Sequence, residues 1–254
     1  MSTLALLSPH SPFPPVEAAL PGGLLAVGAD LSLQRLITAY QQGIFPWFSE
    51  GDPILWWSPD PRMVLATEHF KLSRSLGKKC RQIARQEQAP NASIQVHTDR
   101  SFSDVIRHCS ETRAEEGTWI TQDIMDAYER MHHAGYAHSV ETWVDGQLVG
   151  GLYGICMGRF FFGESMFALQ TDASKIALYY LVQFLRANQV PYIDCQQETA
   201  HLASLGAAAM PRADFVHLLQ QGQRHAAPTW HQGQLLHDGV LCSTFQPLAD
   251  QSAL

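Results

Sequence analysis

The sequence predicts an α+β fold, because strand-like and helix-like segments fall in separate blocks along the chain. Three consecutive stretches, HSVETWV, QLVGGLYGIC and RFFFGESMF, alternate in polarity and are joined by DG and MG turns, which is typical of an antiparallel meander. Apolar residues at helical spacing precede and follow this meander. With 254 residues, of which 46% are hydrophobic and 16% charged, the chain can bury a substantial core.

Residues 1–70 predict a small N-terminal α+β domain. They are rich in Pro, Gly and Trp, so turns and short strands are expected in most of this block. One amphipathic helix is indicated within DLSLQRLITAYQQG. Asp30 or Ser32 is placed to cap that helix, and Gly43 is placed to end it.

Residues 71–254 predict the larger domain. Before the meander, SFSDVIRHCSE and TQDIMDAYERMHHAG show helical spacing, and Thr121 or Asp123 is placed to cap the second. After the meander come a long apolar helix, DASKIALYYLVQFLRANQ, a strand, VPYIDCQ, and a short helix, ETAHLASLGA, that ends at Gly206. This order is that of an acetyltransferase-like (GNAT-type) domain, in which helices flank a mixed sheet.

That order raises the possibility of an acyltransferase that uses coenzyme A. Such an enzyme would need a Gly-rich turn between the last meander strand and the next helix, so that backbone N–H groups could hold a pyrophosphate. The segment here is FALQTDASKIA, which has no glycine. If the chain transfers an acyl group, we therefore expect a carrier other than coenzyme A.

The N-terminus and the cysteines predict a cytoplasmic protein. The start, MSTLALLSPHSPFPPV, lacks the basic segment and long apolar core of a signal peptide, and no stretch of about eighteen apolar residues could span a bilayer. The five Cys and twelve His residues show neither C-x-x-C nor H-E-x-x-H spacing. We therefore expect no disulfide framework, no metal site and no membrane partner.

The charge of the chain is unevenly distributed. The formal net charge is −7, which argues against a general nucleic-acid binder, yet the segment from Lys71 to Arg85 holds six basic residues and no acidic one. A run of this kind is usually a solvated helix face. The alternative is a local docking surface for the phosphates of a nucleic acid.

Three polar residues occupy strands that are otherwise apolar. Asp194 and Gln196 lie two residues apart in YIDCQ, so strand alternation predicts that they share one face. Glu164 follows Gly163 in FFFGESMF, where a glycine can mark a bulge. Each residue alone could simply satisfy a buried hydrogen bond, but the three together predict a site, since a buried unpaired carboxylate is costly.

Five motifs carry a resemblance over most of the chain, from about Phe13 to Leu219. They are GIFPWFSEGDPILWWSPDPRMVL, EEGTWIT, GGLYGI, FFGESMF and YIDCQ followed by HLASLGA. In combination they resemble the bacterial leucyl/phenylalanyl-tRNA–protein transferases. The resemblance implies an aminoacyltransferase that moves Leu or Phe from aminoacyl-tRNA to the N-terminal Arg or Lys of a protein. The product is a degradation signal of the N-end rule pathway, and no cofactor is implied.

The resemblance also implies roles for single residues. Gln196 is expected to contact the incoming amine, Asp194 to polarise it, and Glu164 to hold the amine of the donor or of the acceptor. Two tryptophans, Trp57 and Trp119, are expected to stack on the terminal adenosine of the tRNA. The pocket for the Leu or Phe side chain is expected to be lined by Leu152, Phe161, Leu178, Leu181 and Ile193. The basic segment supplies the expected tRNA contacts, which are Arg74, Lys78, Lys79, Arg81 and Arg85.

Two other functions remain open at this point. A coenzyme A N-acetyltransferase would share the fold. A thiol hydrolase would use Cys195 with His201, although strand alternation directs Cys195 away from the face of Asp194. For either function, as for the transferase, we expect a monomer.

Overall fold

A computed structural model describes residues 4–112 and 117–243 of the chain. Glu115 and Glu116 of the EEGTWIT motif lie outside the described residues, as do residues 244–254 at the end of the predicted second domain. Helices and strands are both present in quantity and the sheets are mixed, so the predicted α+β class is confirmed.

A four-stranded sheet forms within the first sixty residues. Its strands lie in the order β1-β2-β4-β3, with β1 parallel to β2 and the other neighbours antiparallel. The strands are β1 (Ala5–Leu7), β2 (Leu24–Gly28), β3 (Phe45–Pro46) and β4 (Leu55–Trp57). Helix α1 (Leu33–Gln41) begins at Ser32, whose hydroxyl accepts the Arg35 N–H, and Gly43 follows its end with a φ of +73°. The predicted helix and its ends are therefore confirmed.

A nine-stranded sheet forms the body of the protein. Its strands lie in the order β11-β5-β10-β9-β8-β7-β6-β12-β13. They are β5 (Arg62–Ala66), β6 (Ile94–Thr98), β7 (Ala137–Val144), β8 (Gln147–Met157), β9 (Phe160–Ala168), β10 (Tyr192–Gln196), β11 (Ala208–Met210), β12 (Gly233–Leu235) and β13 (Leu241–Ser243). Strands β7, β8 and β9 form the predicted antiparallel meander, and β10 adds to β9 in parallel.

Helices cover both faces of the large sheet. They are α2 (Arg74–Ala84), α3 (Phe102–Glu111), α4 (Gln122–His133), α5 (Ala173–Ala187), α6 (Ala200–Ser204) and α7 (Arg212–Gly222). One apolar core packs α1, α3, α4 and α7 against one face, and a second packs α2 and α5 against the other. None of the helices in the described part of the chain combines the length and apolar character needed to cross a membrane.

Strand β5 links the two predicted domains. It lies within residues 1–70, yet it pairs with β10 on one side and β11 on the other, inside the large sheet. Its sequence, RMVLA, is almost wholly buried because both of its edges and both of its faces are covered. A domain boundary at residue 70 would therefore assign β5 to the N-terminal segment, although the strand pairs within the large sheet.

Candidate active site

An apolar cavity of about 210 Å³ opens on the face of the sheet that packs against α5. Cross-strand register explains its lining, since Leu65 on β5, Ile193 on β10 and Phe161 on β9 stand side by side in one row. The structure brings all five predicted pocket residues to this cavity, together with Leu65 and Met166. The predicted five are Leu152, Phe161, Leu178, Leu181 and Ile193.

Glu164 lines this cavity and is buried. Its Oε1 accepts hydrogen bonds from the Tyr40 hydroxyl at 2.7 Å and from the Gln196 side-chain amide at 3.0 Å, and its Oε2 accepts one from the Tyr128 hydroxyl at 3.2 Å. The two tyrosine hydroxyl oxygens also contact each other; because each hydroxyl carries one hydrogen, a tyrosine that donates to its neighbour does not donate to Glu164 at the same time. One carboxylate therefore collects donors from α1, α4 and β10.

Burial raises the pKa of Glu164 to about 7. The hydrogen bonds from Tyr40 and Gln196 act against that rise, while the nearby charge of Asp194 adds to it. Burial likewise raises the pKa of the Tyr40 and Tyr128 hydroxyls well above their usual value, and the charge of Glu164 adds to this effect. Both tyrosines thus remain donors at neutral pH, and Glu164 is the group that exchanges a proton there.

A bulge places Glu164 in this position. The pairing of β8 with β9 passes from Tyr153–Ser165 directly to Gly154–Gly163, which makes Glu164 the additional residue on β9. The bulge expected next to Gly163 is confirmed. Because the ladder is interrupted there, the carboxylate can turn towards the tyrosines of α1 and α4.

A second bulge separates Asp194 from Gln196. Their partners on β5 are the consecutive residues Val64 and Met63, so Cys195 is the additional residue, and Gln196 has a φ of +62°. The expectation that Asp194 and Gln196 share a face by simple alternation is therefore wrong. Gln196 lines the cavity, whereas Asp194 does not.

Asp194 is instead held by an arginine on the far side of the strand. Its two oxygens accept from Arg62 Nε at 2.8 Å and Arg62 Nη2 at 2.6 Å, and both side chains are fully buried. The Arg62 guanidinium also packs against the rings of Phe45 and Phe215. Asp194 Oδ1 accepts the backbone N–H of Gln196 at 2.8 Å, so the ion pair is linked to the site through that backbone.

Cys195 and His201, the pair of the thiol hydrolase alternative, both line the apolar cavity. Burial raises the pKa of the Cys195 thiol to about 12, and the negative charge of Asp194 contributes to the rise. A thiol of that pKa carries almost no thiolate at neutral pH. The hydrolase therefore lacks an activated nucleophile.

A second cavity, of about 230 Å³, adjoins the first and is flanked by aromatic residues. Trp47, Trp119 and Phe45 line it, and it shares Glu164, Gln196 and three other residues with the apolar cavity. Of the two predicted tryptophans, Trp119 lies in this cavity and Trp57 does not. Trp57 packs edge-on against Trp47 at 5.4 Å and donates its indole N–H to the Trp47 carbonyl at 2.7 Å.

Sequence reasoning thus missed Trp47, Tyr40, Tyr128 and Arg62. Trp47 stands in FPWF, beside two other aromatic residues, and is 39% exposed, an unusual position for a tryptophan. The tyrosines fit the apolar stripes of their helices, and a ring at such a position usually belongs to the core. Arg62 gave no local signal.

The predicted tRNA contacts lie along α2 and its C-terminal end. Arg74, Lys78, Arg81 and Arg85 are exposed, while the opposite face of the helix is buried through Leu76, Gly77, Cys80 and Ile83. Lys79 differs from the others. It is half-buried, donates to the Thr171 carbonyl at 3.2 Å and lies 3.9 Å from Asp172. The basic face of α2 is therefore exposed to solvent at these four residues, whereas the charge of Lys79 is partly offset by Asp172.

Among the residues that the structure describes, one cluster of side chains that could ligate a metal lies outside the cavities and is formed by Asp99, His132 and His138. His138 Nδ1 lies 2.8 Å from Asp99 Oδ2 and its Nε2 lies 3.2 Å from the Gly135 carbonyl. His132 Nδ1 lies 2.8 Å from the Ala137 carbonyl. A nitrogen that faces a carbonyl oxygen must donate, so these contacts account for the cluster as a hydrogen-bonded network.

Two family models together match most of the chain. The model for leucyl/phenylalanyl-tRNA protein transferases matches residues 64–220, and the model for the N-terminal domain of the same proteins matches residues 29–60. The chain belongs to the leucyl/phenylalanyl-tRNA protein transferase family. It is accordingly an aminoacyltransferase, and the predicted transfer of Leu or Phe from aminoacyl-tRNA to the N-terminus of proteins is confirmed.

Curated relatives agree with this assignment. A leucyl/phenylalanyl-tRNA–protein transferase of Bordetella petrii is 59% identical over 241 residues, which cover 94% of this chain and 95% of that protein. The protein of the same name from Chromobacterium violaceum is 51% identical over 225 residues, or 87% of this chain and 93% of that one. Among solved structures, L-PGS from Bacillus licheniformis aligns at 12% identity with a TM-score of 0.36 over 66% of this chain and 51% of its own, a likeness too low to establish a shared fold.

Proposed function

We propose that the transferase forms its peptide bond where the apolar and the aromatic cavity meet, beside Glu164 and Gln196. The observation that carries this proposal is that both residues line both cavities. An aminoacyl-adenosine has an apolar side chain at one end, a base at the other and the reactive ester between them. Seating the two ends in the two cavities brings the ester to the shared polar residues.

The apolar cavity receives the Leu or Phe side chain. Most of its lining is aliphatic or aromatic, so an apolar side chain that enters the cavity is removed from water and packs against apolar groups. Leu and Phe branch at Cγ or beyond, whereas Ile and Val are crowded at Cβ. A pocket entered past Glu164 and Gln196 favours the side chains that are narrow at Cβ.

The aromatic cavity receives the terminal adenosine. Trp119 and Trp47 supply the stacking surfaces, and Trp57 holds Trp47 in place through its ring contact and its hydrogen bond. Stacking of a base on an aromatic ring contributes about 1–3 kcal/mol and reads no sequence. That suits a 3′ end that every tRNA carries.

Peptide bond formation then needs a neutral amine and a route for one proton. The α-amine of the acceptor attacks the ester carbon, the new C–N bond forms, the ester C–O bond breaks, and the proton lost by the amine ends on the ribose oxygen of the departing tRNA. The carboxylate of Glu164, with its pKa raised to about 7, can hold that proton in passage, because an α-amino group has a pKa of about 7.7–8.0.

Gln196 orients the amine, and Asp194 orients Gln196. The Gln196 Nε2 donates to Glu164, so the amide oxygen is the atom directed at the amine. Asp194 fixes the strained backbone of Gln196 by accepting its N–H, while Arg62 donates to both oxygens of Asp194. Asp194 is thus a positioning residue in this proposal and does not contact the amine.

The basic face of α2 docks the tRNA backbone. Arg74, Lys78, Arg81 and Arg85 are exposed cations on one helix, and the contribution of Lys79 is reduced by Asp172. Phosphate contacts of this kind give affinity without sequence preference and weaken as salt rises. The acidic remainder of the chain restricts that contact to this helix.

Several finer expectations belong to the same proposal. The acceptors carry an N-terminal Arg or Lys and become substrates for degradation, and the enzyme acts as a monomer in the cytoplasm, where aminoacyl-tRNA is made. The large sheet, with β10 parallel to β9 and a helix between them, supports an acetyltransferase-like domain. The small domain is then the segment up to about residue 70, apart from β5.

The decisive experiment offers one acceptor protein with N-terminal Arg, Lys or Ala to the enzyme, together with labelled leucyl-tRNA or labelled acetyl-coenzyme A. We expect label only from leucyl-tRNA and only on the Arg and Lys acceptors. Transfer from acetyl-coenzyme A would contradict the assigned donor, and equal labelling of the Ala acceptor would contradict the assigned specificity. The Cys195→Ala variant should retain transfer, since the thiol has no role in the proposal.

A further inference from the structure

The chain beyond α7 returns across the large sheet as a C-terminal strap, residues 224–243. The matched family model ends before it, at residue 220. Within the strap, β12 pairs antiparallel with β6, and Leu235 is buried in the core on the α5 face. Gln234 Nε2 donates to the Glu87 carbonyl at 2.6 Å, and His237 contacts the Glu87 carboxylate through its backbone N–H and its ring. The strap is therefore anchored around β12 by strand pairing and by hydrogen bonds to Glu87.

Trp230 is an aromatic residue of the strap that packs against the core on this face. Its ring stacks on His138 with centroids 4.4 Å apart and planes at 7°, and packs against Phe184 at 4.5 Å and Phe161 at 6.0 Å. His138 is itself held by Asp99 and by the Gly135 carbonyl. The indole is thus wedged between a fixed imidazole, helix α5 and one wall of the apolar cavity.

Phe161 is the residue that connects Trp230 to the cavity. It lines the cavity and is fully buried. Its ring lies directly on Gly154, where a Cβ would be 2.6 Å from two ring carbons. Gly154 therefore limits the ring on one side and Trp230 supports it on another, although Trp230 does not line the cavity.

We propose that Trp230 of the C-terminal strap is a positioning residue for Phe161 and so sets the balance between Leu and Phe as donors. This inference rests on the proposed function, in which the apolar cavity receives the donor side chain. With Trp230 in place, Phe161 closes the cavity at a depth that Leu can fill. Without it, Phe161 relaxes towards the vacated space, and Leu loses more contacts than the larger Phe.

A competition assay tests the proposal. The enzyme receives leucyl-tRNA and phenylalanyl-tRNA together, carrying different labels, with one acceptor protein. We expect Trp230→Ala to lower the ratio of Leu to Phe transferred by roughly fivefold, and Trp230→Phe, which retains a ring, to change it by less than about twofold. Both donors compete for the same folded molecules, so loss of folded enzyme lowers both products and leaves the ratio unchanged.

Two further variants separate the possible results. Val105→Ala removes buried methyl groups from the core on the opposite face and should lower the melting temperature without changing the ratio. Leu152→Phe narrows the cavity directly and should disfavour Phe. If Leu152→Phe changes the ratio and Trp230→Ala does not, the role of Trp230 is overturned while the pocket stands. If neither changes the ratio, the pocket assignment is overturned, and the inference with it.

Discussion

Two buried carboxylates, Asp194 and Glu164, lie close to the place where the two cavities meet, in opposite electrostatic surroundings. Asp194 faces a guanidinium that binds both of its oxygens, whereas Glu164 faces two tyrosine hydroxyls and an amide, none of which is charged. Burial penalises the ionised form of both residues. A counter-ion offsets that penalty for Asp194, and only neutral donors oppose it for Glu164. A buried carboxylate that is paired with a fixed cation therefore has a structural role, while one that is buried among neutral donors can exchange a proton near neutral pH.

The largest expected effect is on stability, and it comes from Asp194. Asp194→Asn leaves the Arg62 guanidinium buried without a counter-ion, so the free energy of unfolding should fall by about 3–5 kcal/mol. Chemical denaturation with circular dichroism measures it. The double variant Arg62→Met, Asp194→Leu removes both charges and should recover most of the loss.

An Asp194→Asn protein with the stability of the wild type would contradict the structural role of the Arg62–Asp194 ion pair. In a folded fraction of this variant, the aminoacyl-tRNA KM should be unchanged, because neither side chain of the ion pair lines the cavities.

The next effect is on turnover, and it comes from Glu164. Glu164→Gln keeps the shape of the side chain but cannot take a proton, so kcat should fall by about a hundredfold or more. Single-turnover transfer with saturating leucyl-tRNA measures it. Glu87→Gln changes another buried glutamate, which is bonded to Tyr180 and His237 away from the cavities, and should leave kcat within about twofold.

The pH dependence sharpens this prediction. The folded pKa of Glu164 is raised from its usual 4.5 to about 7, so between these values the folded state binds more protons than the unfolded state. The stability contributed by this residue is therefore fully present below pH 4.5 and is lost as the pH rises through 7. Turnover should change in the opposite direction and rise through pH 7 as the carboxylate forms. Glu164→Gln should abolish the stability slope and leave in turnover only the rise that comes from the acceptor amine itself, whose pKa is about 7.7–8.0. A stability slope that persisted in this variant would show that another group titrates.

The smallest effect comes from the donors around Glu164. Tyr128→Phe removes the hydrogen bond to Oε2, which stabilises the ionised form, so the pKa of Glu164 should rise further. A bond of roughly 1 kcal/mol corresponds to a rise of about 0.7 pH unit in the midpoint of the kcat profile. Tyr180→Phe is the matched control, because its hydroxyl donates to Glu87 instead, and it should leave the midpoint in place. Equal midpoints in both variants would mean that Tyr128 does not tune the carboxylate.

Much of the fold and part of the site could be predicted from the sequence, for physical reasons that differ between elements. The meander and α4 follow from local signals, namely alternation, two-residue turns and the Thr121 cap. The five residues that the family resemblance implies for a side-chain pocket line one cavity, and the register of β10 with β9 explains why Ile193 and Phe161 meet there. These are cases in which local chemistry and tertiary structure agree.

The failures arose where a strand departs from regular alternation or where a partner is distant in sequence. The bulge at Cys195 moves Gln196 to the opposite face of the strand, and no residue in YIDCQ predicts that bulge. Arg62 is 132 residues from Asp194, so only the structure shows that the carboxylate is already paired. Tyr40 resembles an ordinary core aromatic until Glu164, 124 residues away, is seen beside it.

Because Tyr40 and Glu164 lie far apart in sequence, the activity of the enzyme can report whether the two parts of the chain are assembled. Tyr40 lies on α1, in the first part of the chain, and its hydroxyl donates to the carboxylate of Glu164 on β9, in the middle of the large sheet. If the chain were cleaved near residue 70, Tyr40 and Glu164 would lie on different fragments. Glu164 would then lose the hydrogen bond from Tyr40, which is the shortest that it accepts. Recovery of transfer upon mixing the fragments would then measure how many of them had reassociated, with the chemistry itself as the signal.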